Sequence, residues 1–148
     1  MPSFKQTKAL PYSAEFLHDM IMDIEKYPEF LPWCSQAKIT KIISNNSLEA
    51  ILLINFKNLF EKYTSLVNHG KNDEGYFIDV NAIQGPFKKL TNQWRLKNIE
   101  NHCQIEFFVE FEFNSFLLEK MIGAIFEKAA VRMMDAFEVR AEFLKKLG

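Results

Sequence analysis

Cysteine is nearly missing from this sequence: Cys34 and Cys103 are the two in 148 residues. Two thiols cannot make a disulfide framework, and neither stands at metal-ligand spacing. Glycine and proline are scarce as well, five of each, which excludes collagen-like and linker-rich chains. Neither sign of charge dominates: eighteen Lys and Arg face nineteen Asp and Glu, a formal net charge of -1. Such a balance denies the chain the broad positive footprint of a duplex-binding protein, so DNA is not an expected partner. The opening Met-Pro-Ser-Phe-Lys lacks the features of a secretory leader, and no run approaches the ~20 apolar residues of a membrane span. The expected setting is a reducing cytoplasm, with a peripheral place on the inner face of the membrane left open.

Phenylalanine, in contrast, is abundant: fifteen residues, within a chain that is 48% hydrophobic and 25% charged. A chain of this length buries roughly two-thirds of its unfolded surface and needs no metal or disulfide staple. No repeat, linker or low-complexity tract divides it, so residues 1–148 read as one domain.

The hydrophobic period changes along the chain. Residues 3–10 alternate weakly, and Ser13 is a helix N-cap candidate ahead of Leu17, Met20, Ile21 and Ile24. On that helix His18, Asp19 and Asp23 are expected to face solvent. Tyr27-Pro28 opens a second, very short helix that Pro32 ends. From residue 36 to 113 the period is two, clearest in Cys103, Ile105, Phe107, Val109, Phe111 and Phe113 against Gln104, Glu106, Glu110 and Glu112. This predicts an antiparallel sheet with one face wet and one buried, seven strands in all. His69 to Gly75 reads as a polar turn. From Phe116 to Leu147 the period is helical without a convincing break, and predicts one helix of about thirty residues with Gly123 its weak point.

An α+β fold follows: strand, two short helices, six strands, one long helix, with the sheet curled around the last. The pattern admits two packings. One is a solid core; the other leaves a gap between sheet and helix lined by Phe, Met, Ile and Trp, the kind of concavity that apolar ligands occupy.

Five segments carry a family resemblance. They are Pro11-Tyr12-Ser13-Ala14-Glu15, Tyr27-Pro28-Glu29-Phe30-Leu31-Pro32-Trp33-Cys34, Gly85-Pro86-Phe87-Lys88-Lys89-Leu90 with Trp94, Cys103-Gln104-Ile105-Glu106-Phe107 leading to Phe111-Glu112-Phe113, and Met133 to Ala141. Together the chain resembles the coenzyme Q-binding proteins and ribosome-association toxins of the polyketide cyclase/START-like superfamily. The resemblance implies the helix-grip fold and a lipid-sized cavity. It also implies two functions: binding ubiquinone or a related prenylated lipid in support of respiration, or binding the large ribosomal subunit and blocking its association with the small one. Trp33-Cys34 resembles the first branch, and the Gly-Pro-Phe-Lys-Lys-Leu segment fits either.

The candidate site is therefore a cavity. Tyr27, Phe30 and Trp33 are expected at its lip or as a core plug; Phe56, Tyr63, Trp94, Phe126, Met133 and Phe137 along its walls; Phe87 in a turn that gates it. Lys88 and Lys89 form a candidate basic patch for anionic headgroups or ribosomal RNA. Arg140 falls inside the apolar arc of the long helix, where a cation needs a partner. An ion pair with a strand carboxylate is the first expectation, a hydrogen bond to a quinone carbonyl the second. Catalysis finds little footing. His18, His69 and His102 have no partner at metal spacing, no Gly-x-Ser-x-Gly elbow exists, and Glu106, Glu110 and Glu112 should face water. The expected protein is a carrier of a prenylated quinone, requiring no cofactor or metal, with cyclase/dehydrase chemistry as the lesser alternative.

Overall fold

Strict alternation in β7 (His102–Phe113) sets the two faces of the sheet: Cys103, Ile105, Phe107, Val109, Phe111 and Phe113 are all buried, while Glu106 is exposed. The structure, a computed structural model, describes residues 3–56 and 59–147, with Phe56 and Leu59 described by backbone alone. On either side of β7 lie β1 (Ser3–Leu10) and β6 (Phe87–Ile99). β2 (Cys34–Ser44), β3 (Ser47–Phe56), β4 (Leu59–Asn72) and β5 (Gly75–Gln84) complete one antiparallel sheet, ordered β1-β7-β6-β5-β4-β3-β2. The seven-stranded antiparallel sheet expected from the period-two pattern is the one observed.

The β4–β5 hairpin is tighter than its polar sequence suggests. His69 to Asn72 stay in the strand, and only Asp73 and Glu74 turn. Asn72 Oδ1 accepts from the Glu74 N–H at 2.9 Å, and Gly75 follows at φ +136°. A Cβ on Gly75 would stand 2.2 Å from the Leu96 carbonyl oxygen, so glycine is required there.

Two short helices follow β1: α1 (Ala14–Met22), capped by Ser13 Oγ accepting from Phe16 N–H at 3.1 Å, and a 3-10 helix (Ile24–Glu29) that has Pro28 near its end and not, as expected, in its first turn. The C-terminal segment departs from expectation. It is two helices, α2 (Phe116–Gly123) and α3 (Phe126–Leu147), interrupted around Ala124. Gly123 supplies weak helix propensity there. Ser115 Oγ caps α2 through the Leu118 N–H, and Glu119 reaches back to accept from the Phe113 N–H at 2.7 Å, tying the helix to the end of β7. The fully buried stripe of α3 is Ala130, Met134, Phe137 and Ala141, on one side of the broader apolar arc that the pattern predicts.

Aromatic rings fill the space between sheet and α3. Trp94 meets Phe107 at 4.7 Å and Phe137 at 5.1 Å, and Phe137 meets Phe30 and Tyr27 at 5.2 and 5.5 Å. Such tilted pairs add about 0.5–1.5 kcal/mol each beyond their burial. Toward the N-terminal end of α3 this packing opens.

Candidate functional site

Two adjoining chambers remain under the sheet. The larger, about 190 Å³, lies between Phe87, Leu90, Phe111 and Phe113 on the strands and Ile122, Phe126, Ala129, Ala130 and Met133 on the helices. The smaller, about 100 Å³, lies deeper, among Ile24, Tyr27, Leu31, Cys34, Ser65, Val67 and Trp94. Trp33, Ile54, Tyr63, Val80, Asn92 and Met133 line both. The residues converge because inward positions of neighbouring strands stack on one face, while the α2–α3 break carries Ile122 and Phe126 across the opening. Of the two packings the sequence admits, the hollow one is found, though the volume lies below the ~300–1,000 Å³ of a drug-sized ligand pocket.

Seven expected residues line these chambers: Tyr27, Trp33, Tyr63, Phe87, Trp94, Phe126 and Met133. Phe56, also expected, has its side chain outside the described residues. Phe87 is tucked in rather than swung over the opening; it stacks on Phe113 at 4.8 Å and meets Tyr63 edge-on at 5.3 Å. The turn before it needs Gly85, at φ +134°, because a Cβ there would fall 2.6 Å from Tyr63 Cβ.

Phe30, Phe137 and Arg140 are corrections, since none of them lines a chamber. Arg140 sits on the flank of α3's buried stripe. Its guanidinium pairs with Glu29 at 3.3 Å, on the 3-10 helix and not on a strand, between the rings of Phe30 and Phe143. Lys88 and Lys89 also differ from a basic patch. Each meets a carboxylate of β7, Lys89 with Glu110 at 2.8 Å and Lys88 with Glu112 at 3.7 Å, because the wet face of β6 runs beside that of β7. His18, expected at the surface, is buried and lies 3.1 Å from His69, since α1 packs this flank onto β5 and β6.

Ser65 and Asn92 are the polar lining residues that pattern reading missed. Both occupy inward strand positions where alternation calls for an apolar residue, and that breach is the one signal the sequence offers. Asn92 is satisfied twice, donating from Nδ2 to Phe108 O at 3.0 Å and accepting from Trp94 Nε1 at 3.2 Å. The Tyr27 hydroxyl donates to Ile21 O. Burial pushes the Tyr27 and Tyr63 hydroxyls far above the usual phenol range and the Cys34 thiol up to about 11. Every polar lining group of the inner chamber is thus uncharged at pH 7, which suits a neutral occupant with an oxygen-bearing end.

Comparison with known proteins adds to this geometry. Residues 10–138 match the family model described as polyketide cyclase/dehydrase and lipid transport. The chain is 43% identical over 145 residues to the ribosome association toxin RatA of Rickettsia prowazekii (strain Madrid E), covering 96% of this chain and 97% of that protein. It is 26% identical over 148 residues to the mitochondrial coenzyme Q-binding protein COQ10 homolog B of Xenopus laevis, covering 93% of this chain and 57% of that protein. The solution structure of the 18 kDa protein CC1736 from Caulobacter crescentus superposes with a TM-score of 0.77 at 32% identity, over 99% of both chains. A START superfamily protein from Mycobacterium smegmatis superposes with a TM-score of 0.79 at 16% identity, over 96% of this chain and 98% of that one. That likeness shows the START-like helix-grip fold.

Proposed function

This chain belongs to the polyketide cyclase/dehydrase and lipid transport family, and from that membership and the shape of its cavity we propose that it carries a hydrophobic ligand, a prenylated quinone such as ubiquinone. The observation that carries the reading is the pair of adjoining chambers, apolar toward α2 and hydroxyl-bearing at the inner end. A quinone has the same polarity, with a flat ring bearing oxygens at one end and a hydrocarbon chain at the other. Each methylene that leaves water contributes about 0.8 kcal/mol, so even a few isoprene units hold firmly. The protein acts as a carrier and not as a catalyst, in the cytoplasm.

α2 extends the proposal to a membrane. It exposes Phe116 (75%), Leu117 (68%) and Met121 (48%) beside the larger chamber, with the Lys120 ammonium 5.0 Å from the Phe116 ring. Apolar residues mixed with a cation suit brief contact with an anionic lipid surface, where a ligand could enter or leave.

Sequence supports a second reading. The 43% identity with a ribosome association toxin covers nearly the whole of both chains, and it favours action on ribosomes through the large subunit. Organic extraction of protein purified from its own cells separates the two. Co-extracted prenylated quinone supports the carrier. An extract without lipid, together with sedimentation of the protein alongside large subunits and fewer joined ribosomes, supports the second reading and overturns the first.

A further inference from the structure

Two hydroxyls of the inner chamber, those of Tyr63 and Ser65, have no hydrogen-bond partner among the described residues. Tyr63 and Ser65 stand two apart on β4 and so point to the same face. Both line the smaller chamber, and Ser65 is 1% exposed. Among the described residues neither hydroxyl has a hydrogen-bond partner. Their polar neighbours are already engaged: Tyr27 with Ile21 O, Cys34 Sγ with Gln36 O at 3.4 Å, and Asn92 at both ends of its amide. Tyr63 and Ser65 are therefore hydroxyls left over in a chamber whose other walls include Ile24, Leu31, Trp33, Leu52, Ile54, Val67, Val80, Trp94 and Met133. Enclosed hydroxyls are rarely left without an acceptor, and those at the end of an open cavity are completed by what enters it.

We propose that Tyr63 and Ser65 are the head-group recognition residues of the cavity, donating hydrogen bonds to one ring carbonyl of a ligand whose ring fills the smaller chamber and whose chain runs through the larger one past Phe126 and Ile122. The inference rests on the quinone-carrier reading and adds the residues that choose the ligand's orientation. Apolar burial alone does not distinguish a prenylated quinone from any other greasy molecule of its size. A donor pair in the wall of the inner chamber does, because a ligand without a ring oxygen leaves those hydroxyls desolvated and unpaired. Burial holds Tyr63 in its protonated, donating form.

Calorimetric titration of the full chain with two probes tests this: a benzoquinone carrying one isoprene unit, and the matching prenylbenzene without ring oxygens. The unmodified protein is expected to prefer the quinone by roughly 2- to 12-fold for each hydrogen bond made. Tyr63→Phe and Ser65→Ala each remove about one such factor from the preference for quinone over prenylbenzene, because each abolishes a hydrogen bond to the quinone and an unpaired hydroxyl beside the prenylbenzene. Equal affinity of the unmodified protein for both probes overturns the proposal without any variant having to fold. So does an undiminished preference for quinone in both variants, and in either case the carrier reading stands. If the unmodified protein binds neither probe, the carrier reading falls and the proposal with it.

Discussion

His18 Nε2 and His69 Nδ1 lie 3.1 Å apart, joining α1 to β4. The other His18 nitrogen, Nδ1, is 3.0 Å from the Asp19 carboxylate, and the Tyr76 ring of β5 stacks at 5.0 Å. A neutral pair satisfies this geometry: His18 Nδ1–H donates to Asp19 and His69 Nδ1–H donates to His18. Protonating both rings would place two cations in contact.

A pH dependence follows. Burial, with His18 as the second cause, holds His69 below its ordinary value of 6.5. As pH falls through that value the unfolded chain takes up the proton before the folded one, so proton binding draws the equilibrium toward unfolding. Stability is expected to be level above about pH 7 and to fall from about pH 6.5 downward. Urea midpoints between pH 5 and 8 should show a shallower decline for His69→Gln; an identical decline removes the pair as its source.

Filling the larger chamber should separate binding from folding. Ala130 lines that chamber and is 4% exposed. Ala130→Leu is expected to cut quinone affinity at least about tenfold while changing stability by no more than about 1 kcal/mol, because the added carbons enter existing space. Titration beside a urea melt checks both. Unaltered affinity would mean that the ligand sits elsewhere.

Gly85→Ala tests the turn that shapes the cavity. The new methyl meets Tyr63 at 2.6 Å on a backbone at φ +134°. A loss of about 1–3 kcal/mol is expected, together with weaker quinone binding as Tyr63 is displaced. A melt matching the original protein would show that the turn relaxes freely.

Arg140→Met should affect stability and not ligand. Glu29 is half exposed and its pair with Arg140 contributes little, so the loss is mostly that of a nearly buried cation between the Phe30 and Phe143 rings, about 1–2 kcal/mol. Quinone affinity is expected to stay within about twofold, the scatter of a bystander residue. A drop of tenfold with an intact melt would return Arg140 to the site.

The apolar face of α2 is tested on vesicles. Phe116→Ser with Leu117→Ser is expected to abolish flotation with anionic liposomes and leave the melt unchanged, since both side chains are already in water. Flotation at the original level would place membrane contact on another surface.

Much of this molecule is legible in its pattern of residues. The β7 run from Cys103 to Phe113 announces a two-faced sheet, and six aromatic residues and Met133 of the cavity lining are among those the sequence singles out. Arg140 lies on the flank of α3's buried stripe and reaches Glu29 on the 3-10 helix, a partner that helical period alone does not give. His18 and His69 are fifty-one positions apart, a proximity that only the folded sheet creates. Lys88 and Lys89 lost their free charge to Glu112 and Glu110 through strand register, which alternation alone does not give. Ser65 is a polar residue on a dry face, an anomaly in an apolar pattern that alternation alone does not interpret.

The interruption between α2 and α3 also bears on how large a passenger the protein can take. α3 is pinned by Trp94, Phe30 and Tyr27 against Phe137, whereas α2 buries no side chain fully and is held at its start by Ser115 and Glu119. Swinging α2 about residues 124–125 would enlarge the compartment without disturbing a single ring contact of that cluster. On the carrier reading proposed above, tail length would be set by a short, loosely seated segment, and one scaffold would accept homologues of a lipid series that differ by several isoprenes.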